Sequence, residues 1–396
     1  MKKERILFKP IDEQYELILG FREGLAFVRN KESKVGYIDK TGEVVIPLNY
    51  YSRFESSQGD IKFVHYPSFF EGLTALINEE GKFGFVDKTN KVIVPFEYDN
   101  AYCFQDGMAP VKRDGKWGYI NRTNDIVIPM EFDNLVAGFD QEGLAAANKG
   151  GKWGYIDKTG QTVIPFEYDF ERGQVGRFSE GLMPVTQNGK KGYIDKTGKA
   201  VIPIELEYDY ISNFSEGFAI VAMGLGEGIA LKKDENLKEF KKRCDEAKKS
   251  YRYGLIDRTG KIVLPVEYTD LVGFSEGLMP VEKDDVKGYM DTNGKMSFFT
   301  DFDWQGNFSE GFALIKKGNQ YSFIDTTGEI VIELGDYDFI SPFREGLAFV
   351  KKDNQYGYID KLGSLVVPLQ YDSVGYFNEG LAVVQKDGQW GILQLA

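Results

Sequence analysis

A chain of 396 residues would ordinarily suggest two or three domains, but a phrase that recurs along its whole length overrides that prior, because copies at a fixed spacing stack into one continuous structure. The net charge of −13 repels phosphate backbones and anionic headgroups, so no nucleic acid and no membrane is expected as a partner; the charged start MKKERILFKPIDEQ lacks an apolar run of signal-peptide length, which points to the cytoplasm. With one histidine and two cysteines in unrelated contexts, Cys103 and Cys244, a two-histidine metal site, a thiolate zinc site and a disulfide framework are all excluded as expectations, and no cofactor is implied.

The first apolar stretch, Ile6 to Pro10 followed by Tyr15 and Phe21, matches the last of three phrases that later occur together. From Glu23-Gly24 onward the pair Glu-Gly, as Asp-Gly at Gly107, returns at Gly72, Gly107, Gly143, Gly181, Gly217, Gly277, Gly311, Gly346 and Gly380, mostly about 35 residues apart, a spacing typical of solenoids and propellers. Each unit reads approximately F-S-E-G-L-A-x-V, then K-W-G-Y-I-D-K-T-G, then x-V-V-I-P-x-E-Y-D. These are expected to be three short antiparallel strands separated by turns. In Lys116 to Ile120, Trp117 and Tyr119 share one face while Gly118 and Ile120 share the other. The recurring glycine predicts close approach by a neighbouring backbone. Runs such as Val163-Ile164-Pro165 and Val201-Ile202-Pro203 are apolar on both faces and are expected to be buried from both sides. Asp-Lys-Thr-Gly is a turn in which aspartate bonds back to the backbone and glycine takes the left-handed conformation; Asn90 and Asn124, which tolerate it, replace that glycine in two copies.

Trp117-Gly118, Trp153-Gly154 and Trp390-Gly391, set in the full phrase, give the chain a resemblance to the WG repeats, a bacterial tandem repeat, from about Phe21 to the C-terminus. The tryptophan slot holds Val35, Phe83, Lys191, Tyr253, Lys287, Tyr321 and Tyr356 in other copies. The resemblance implies an all-β repeat array that serves interaction rather than catalysis. The expectation is one continuous array over residues 1–396, with insertions at 51–69 and 222–250 and one inserted amphipathic α-helix. The end of the chain, Asn378 to Ile392, supplies the first two phrases without the third, so a split unit could close a ring. Nine whole units plus one split unit would make a large propeller, and three strands per unit fall short of the usual four, which favours an open, superhelical or solenoid-like array over a closed propeller-like ring.

Departures from the repeat are the functional pointers, since inserted loops are not required by the stacked core. The first insertion, Tyr51 to Phe69, carries His65, read as a loop or packing residue. The second follows Val221. Its Gly224, Gly226 and Gly228 lack the strand-loop-helix setting of a phosphate loop, and after them Asp234 caps a helix with Leu237, Phe240, Cys244 and Ala247 on one stripe. Phe240, Lys241, Lys242 and Arg243 make this segment a candidate docking element in an otherwise acidic chain. The third runs from Lys295 to Phe308, where Val-Ile-Pro is lost and Phe298, Phe299, Phe302 and Trp304 crowd together; Phe299, Phe302 and above all Trp304 are the candidate contact residues. Nearby, Ser322 replaces the second-strand glycine and Glu333 the proline.

Glu23, Glu180 and Asp157 recur at equivalent positions, which assigns them to turn and cap geometry rather than to a unique catalytic pair. The expected function is therefore non-enzymatic binding or scaffolding, most plainly of a protein partner. The alternative is a carbohydrate-binding or carbohydrate-active protein using the aromatic patch with carboxylates. Self-association through terminal strand edges is a further expectation.

Overall fold

The computed structural model describes residues 7–11, 15–51, 68–136, 138–169, 177–224, 251–335 and 337–394. The expected helix from Asp234, with Phe240, Lys241, Lys242 and Arg243, and the loop carrying His65 lie outside the described residues. Everything described is β-structure, in seven sheets of four strands, one of three and one of seven. We number the units 1 to 10 after the successive Glu-Gly pairs; the seven-stranded sheet joins units 1 and 2 through the pairing of Tyr51 with Ile77.

The expectation of three strands per unit is corrected to four in most units. In most of these the extra strand is only two residues long, as in Asn100–Ala101, where Ala101 pairs with Val111. Two residues carry no periodicity, so pattern reading passes over them. In unit 3 the order is Asn100–Ala101, Met108–Arg113, Lys116–Asn121 and Ile126–Phe132.

The expectation of two-sided burial for the third phrase also fails. Ile164 and Ile202 are buried, but Val163 and Val201 are 36% and 44% exposed. The strand lies at the edge of its sheet, one face on the core and the other in water. Its proline is accommodated by a local bulge. In unit 4, Trp153 pairs with Tyr168 and Tyr155 with Ile164, so four steps on one strand match two on the other. The Ile164 carbonyl bends toward Gly154, and a Cβ there would stand 2.6 Å from it. The glycine of the repeat is thus required by the carbonyl opposite it. In unit 8 the requirement is absent: Ser322, in place of glycine, pairs directly with Glu333, in place of proline, whereas in unit 7, which also lacks the proline, a Cβ on Gly288 would still stand 2.5 Å from the Phe298 carbonyl.

The Asp-Lys-Thr-Gly turn forms as expected. Asp157 Oδ1 accepts from the Thr159 amide at 2.8 Å, the Thr159 hydroxyl at 2.6 Å and the Gln161 amide at 3.0 Å. Gly160, Asn90 and Asn124 all have left-handed φ, at 85°, 65° and 66°.

The core lies between units rather than within them. Trp117, Tyr119 and Ile128 of unit 3 pack on Leu135, Phe139 and Ile156 of unit 4, and each such large buried side chain is worth roughly 1.5–3 kcal/mol. Polar links run alongside. Ser179, Ser275 and Ser309 donate to the carbonyls of Phe214, Phe308 and Phe343 in the following units at 2.6, 2.8 and 3.0 Å. In the same way Asn378 of unit 10 donates at 2.7 Å to the carbonyl of Phe21, in unit 1.

That last bond overturns the expectation of an open array. Strand Leu7–Pro10 pairs antiparallel with strand Gln389–Gln394, completing the sheet of unit 10 with the missing third phrase. Ile11, Tyr15, Ile18 and Phe21 share one core cluster with Leu381, Val383 and Ile392. The units therefore close into a ring, and the objection from strand number disappears with the short fourth strand. Among the described residues no helix is long and apolar enough to cross a membrane.

Candidate functional site

The recurring Glu-Gly turns explain where most carboxylates go. Glu23, Glu71, Glu180, Glu216, Glu276, Glu310, Glu345 and Glu379 all take left-handed φ between 50° and 55°, a conformation that costs a non-glycine residue about 1 kcal/mol or more. What offsets it is the link each makes. Glu310 accepts from the Gly346 amide at 3.0 Å and Glu276 from Gly311 at 2.9 Å, each reaching into the next unit. A cation from the next Asp-Lys-Thr-Gly turn commonly joins them, as Lys88 does with Glu23 at 3.0 Å and Lys361 with Glu310 at 3.1 Å. Burial works against ionisation of Glu23 and Glu310, but Lys88 and Lys361 and the accepted amides hold both carboxyls below their ordinary value. These carboxylates tie the ring together. The assignment to turn geometry is right for Asp157 and too narrow for Glu23 and Glu180, which also bridge neighbouring units.

Two successive units depart from the pattern at one junction. In unit 8 the short strand is lengthened to six residues, Trp304–Ser309, and packs against strand Leu278–Lys283 of unit 7. Between them opens a small, solvent-open cleft lined by Asp270, Glu282, Lys287, Asp303, Trp304 and Gln305, with Val272 and Pro280 beside them.

The departures that build it can be followed residue by residue. In other units the last aspartate of the third phrase is spent on a turn: Asp99 accepts from the Asp114 amide at 2.9 Å, Asp209 from Gly224 at 2.8 Å and Asp338 from Asp353 at 2.9 Å. The third phrase of unit 6 ends instead on Thr269, whose hydroxyl donates to the Glu282 carbonyl at 3.1 Å. Asp270, one residue later, lines the cleft instead. It stays exposed at the rim, yet crowding of its carboxyl by the surrounding chain raises its pKa above the ordinary value, against the opposing pull of the Leu271 amide and Lys287. Lys287 is already engaged: its ammonium donates to the Asp303 carbonyl and lies 3.8 Å from Glu282. Gln305 seals the floor, donating to the carbonyls of Gly288 and Val281 at 3.0 and 3.3 Å while accepting from the Thr300 hydroxyl at 2.7 Å.

Trp304 stands over this floor with half its surface in water. Its ring edge lies over the bare backbone of Gly306, where a Cβ would come within 2.9 Å of Cη2. The Gly306 carbonyl is in turn held by the Tyr289 hydroxyl at 2.6 Å. Of the other expected contact residues, Phe302 turns inward against the core between units 7 and 8. Phe299 is 69% exposed on strand Met296–Thr300 but does not line the cleft. The patch legible as one aromatic cluster is therefore split three ways. The carboxylates beside Trp304 were missed, although the sequence carries a signal for them: Glu267-Tyr268-Thr269-Asp270 breaks the Glu-Tyr-Asp ending of its neighbours.

Compared with known proteins, the chain matches the family model described as WG containing repeat nine times, over 36–53, 83–117, 117–153, 153–190, 192–224, 253–286, 288–321, 321–356 and 356–390. No curated protein matches it. Among solved structures it is similar to a eukaryotic initiation factor, with 10% identity, 87% of this chain and 95% of that one covered, and a TM-score of 0.48. It is also similar to BamB from Moraxella catarrhalis (11% identity, 83% and 96% covered, TM-score 0.35) and to the WD40 beta propeller domain of Doa1 (13%, 67% and 97%, 0.27). Likeness at this level bears on neither ligand nor activity.

Proposed function

This chain belongs to the family of WG-containing repeats, and from that premise we propose that it is a non-enzymatic binding or scaffolding protein whose partner is another protein. The observation that carries the reading is the junction of units 7 and 8. There a half-exposed tryptophan lines a cleft with Asp303, which accepts from the Gly318 amide, Glu282, which lies 3.8 Å from Lys287, and Asp270, which no turn amide across the strand pair claims. Aromatic side chains in such a setting supply large contact area at low entropic cost, and a ring of repeats presents an extended surface around them.

A pull-down from native cytosol with the intact chain, with Trp304→Ala and with Phe339→Ala tests the reading. Phe339 occupies the position in unit 9 that Trp304 holds in unit 8, and it is 47% exposed. A protein lost with Trp304→Ala and kept with Phe339→Ala supports the site. Equal recovery by all three baits would remove it. Retention of oligosaccharide instead of protein, again dependent on Trp304, would favour the carbohydrate-binding alternative.

A further inference from the structure

The chemistry of the cleft narrows the kind of group it takes. Three carboxylates, Asp270, Glu282 and Asp303, share it with one cation; Asp303 already accepts from the Gly318 amide at 2.6 Å, and the cation is bonded to the Asp303 carbonyl and paired with Glu282, which leaves Asp270. An anion would meet repulsion on three sides. A neutral group would leave the local negative charge unmatched. A cation gains from each carboxylate and also from the indole face of Trp304, which attracts positive charge through its quadrupole. Size restricts the choice again, because a small cleft open to solvent admits the end of a side chain and not an element of secondary structure.

Resting on the protein-binding reading above, we infer that the cleft is a receptor for a single arginine side chain on a basic segment of the partner. Its guanidinium stacks on Trp304 and bonds to Asp270, the carboxylate left free of turn duty. Arginine fits better than lysine on two counts. Its planar head stacks flat on an aromatic ring, and its forked donors match a carboxylate edge-on. The net charge of −13 acts at longer range, drawing basic segments toward the whole ring.

The test uses the full chain carrying 5-fluorotryptophan, whose four fluorine signals report on Trp117, Trp153, Trp304 and Trp390 separately. The Trp304 signal is assigned by its loss in Trp304→Phe. The probe is acetyl-Gly-Arg-Gly-amide, with lysine and glutamate in place of arginine as comparisons. The Trp304 signal should move saturably with the arginine peptide, less with lysine and not with glutamate, and added salt should weaken the response. Asp270→Asn should weaken arginine binding roughly fivefold, the scale of one exposed charge-assisted contact. Gly306→Ala, which keeps every charge but pushes the indole off its bed, should also weaken it while leaving the fold intact by circular dichroism. Equal response to the glutamate peptide, or affinity unchanged within twofold in Asp270→Asn, would overturn the inference. A partner captured through Trp304 that the arginine peptide does not displace would leave the binding site standing and refute its arginine chemistry; arginine binding without any captured protein would do the reverse.

Discussion

The amide of Glu23 donates to the side-chain carboxylate of Glu379 at 3.2 Å across 356 residues of sequence, repeating between the last unit and the first the link that joins other neighbours. Beside it, Asn378 performs for Phe21 what serine performs for phenylalanine elsewhere. Asn378→Ala should therefore destabilise the protein by about 1 kcal/mol in urea unfolding, and Asn378→Ser should recover most of the loss. If both variants unfold with the parent, the bond carries no closure energy.

At two junctions threonine stands where the pattern elsewhere supplies a cation. Thr292 and Thr326 stand in the lysine slot of their turns, opposite Glu216 and Glu276. Thr326→Lys should pair with Glu276 as Lys361 does with Glu310, raising stability by about 0.2–1 kcal/mol at low salt and less at high salt. Thermal unfolding at two salt concentrations measures it, and a gain that salt leaves unchanged would refute the pairing.

Gly154→Ala places a methyl 2.6 Å from the Ile164 carbonyl and 2.9 Å from the Phe166 amide, so the bulge must shift at a cost of roughly 1–3 kcal/mol. Ser322→Ala, at the same slot where the proline is absent, should cost less than half as much. Equal losses in the two variants would show that the glycine answers to something other than the bulge.

Acid should loosen the turns together. Threonine hydroxyls, with backbone amides beside them and slight burial opposing, hold Asp87, Asp157, Asp195, Asp257 and Asp325 below the ordinary aspartate pKa. A depressed folded-state pKa contributes stability that is present above the unfolded value of about 3.9 and is lost as pH falls through the folded value. Unfolding free energy should therefore be insensitive to these groups near neutrality and drop below about pH 4. In a Thr159→Val variant, which removes one donor to Asp157, the drop should be shallower.

The repeat was legible because its physical demands are local. Asp157 and Gly160 make a turn from four consecutive residues, and Gly154 signals a close carbonyl from one position. What escaped depends on distant partners. The two-residue strand Asn100–Ala101 has no pattern of its own, and it exists because Val111 pairs with it. Val163 reads as core in an apolar run, yet its strand is an edge and only Ile164 turns inward. Closure was visible as a split unit but could not be decided from strand counts that omitted the fourth strand. At the site, Trp304 stood out as a large residue in a broken unit. Asp270 did not, because its meaning comes from Thr269 having displaced it by one position from a turn that other units close.

The account rests on ring closure, which makes unit 10 the neighbour of unit 1 and leaves the junction of units 7 and 8 as an interruption within a continuous wall. Spin labels on exposed turn residues test it directly, in a Cys103→Ser, Cys244→Ser background. Glu32→Cys and Asp387→Cys lie in equivalent turns of units 1 and 10, while Asp353→Cys and Asp387→Cys give the same turns in the consecutive units 9 and 10. A closed ring predicts that the first pair shows a narrow distance distribution matching the second. A first-pair distance far longer than the second, or one too broad to define, would contradict closure.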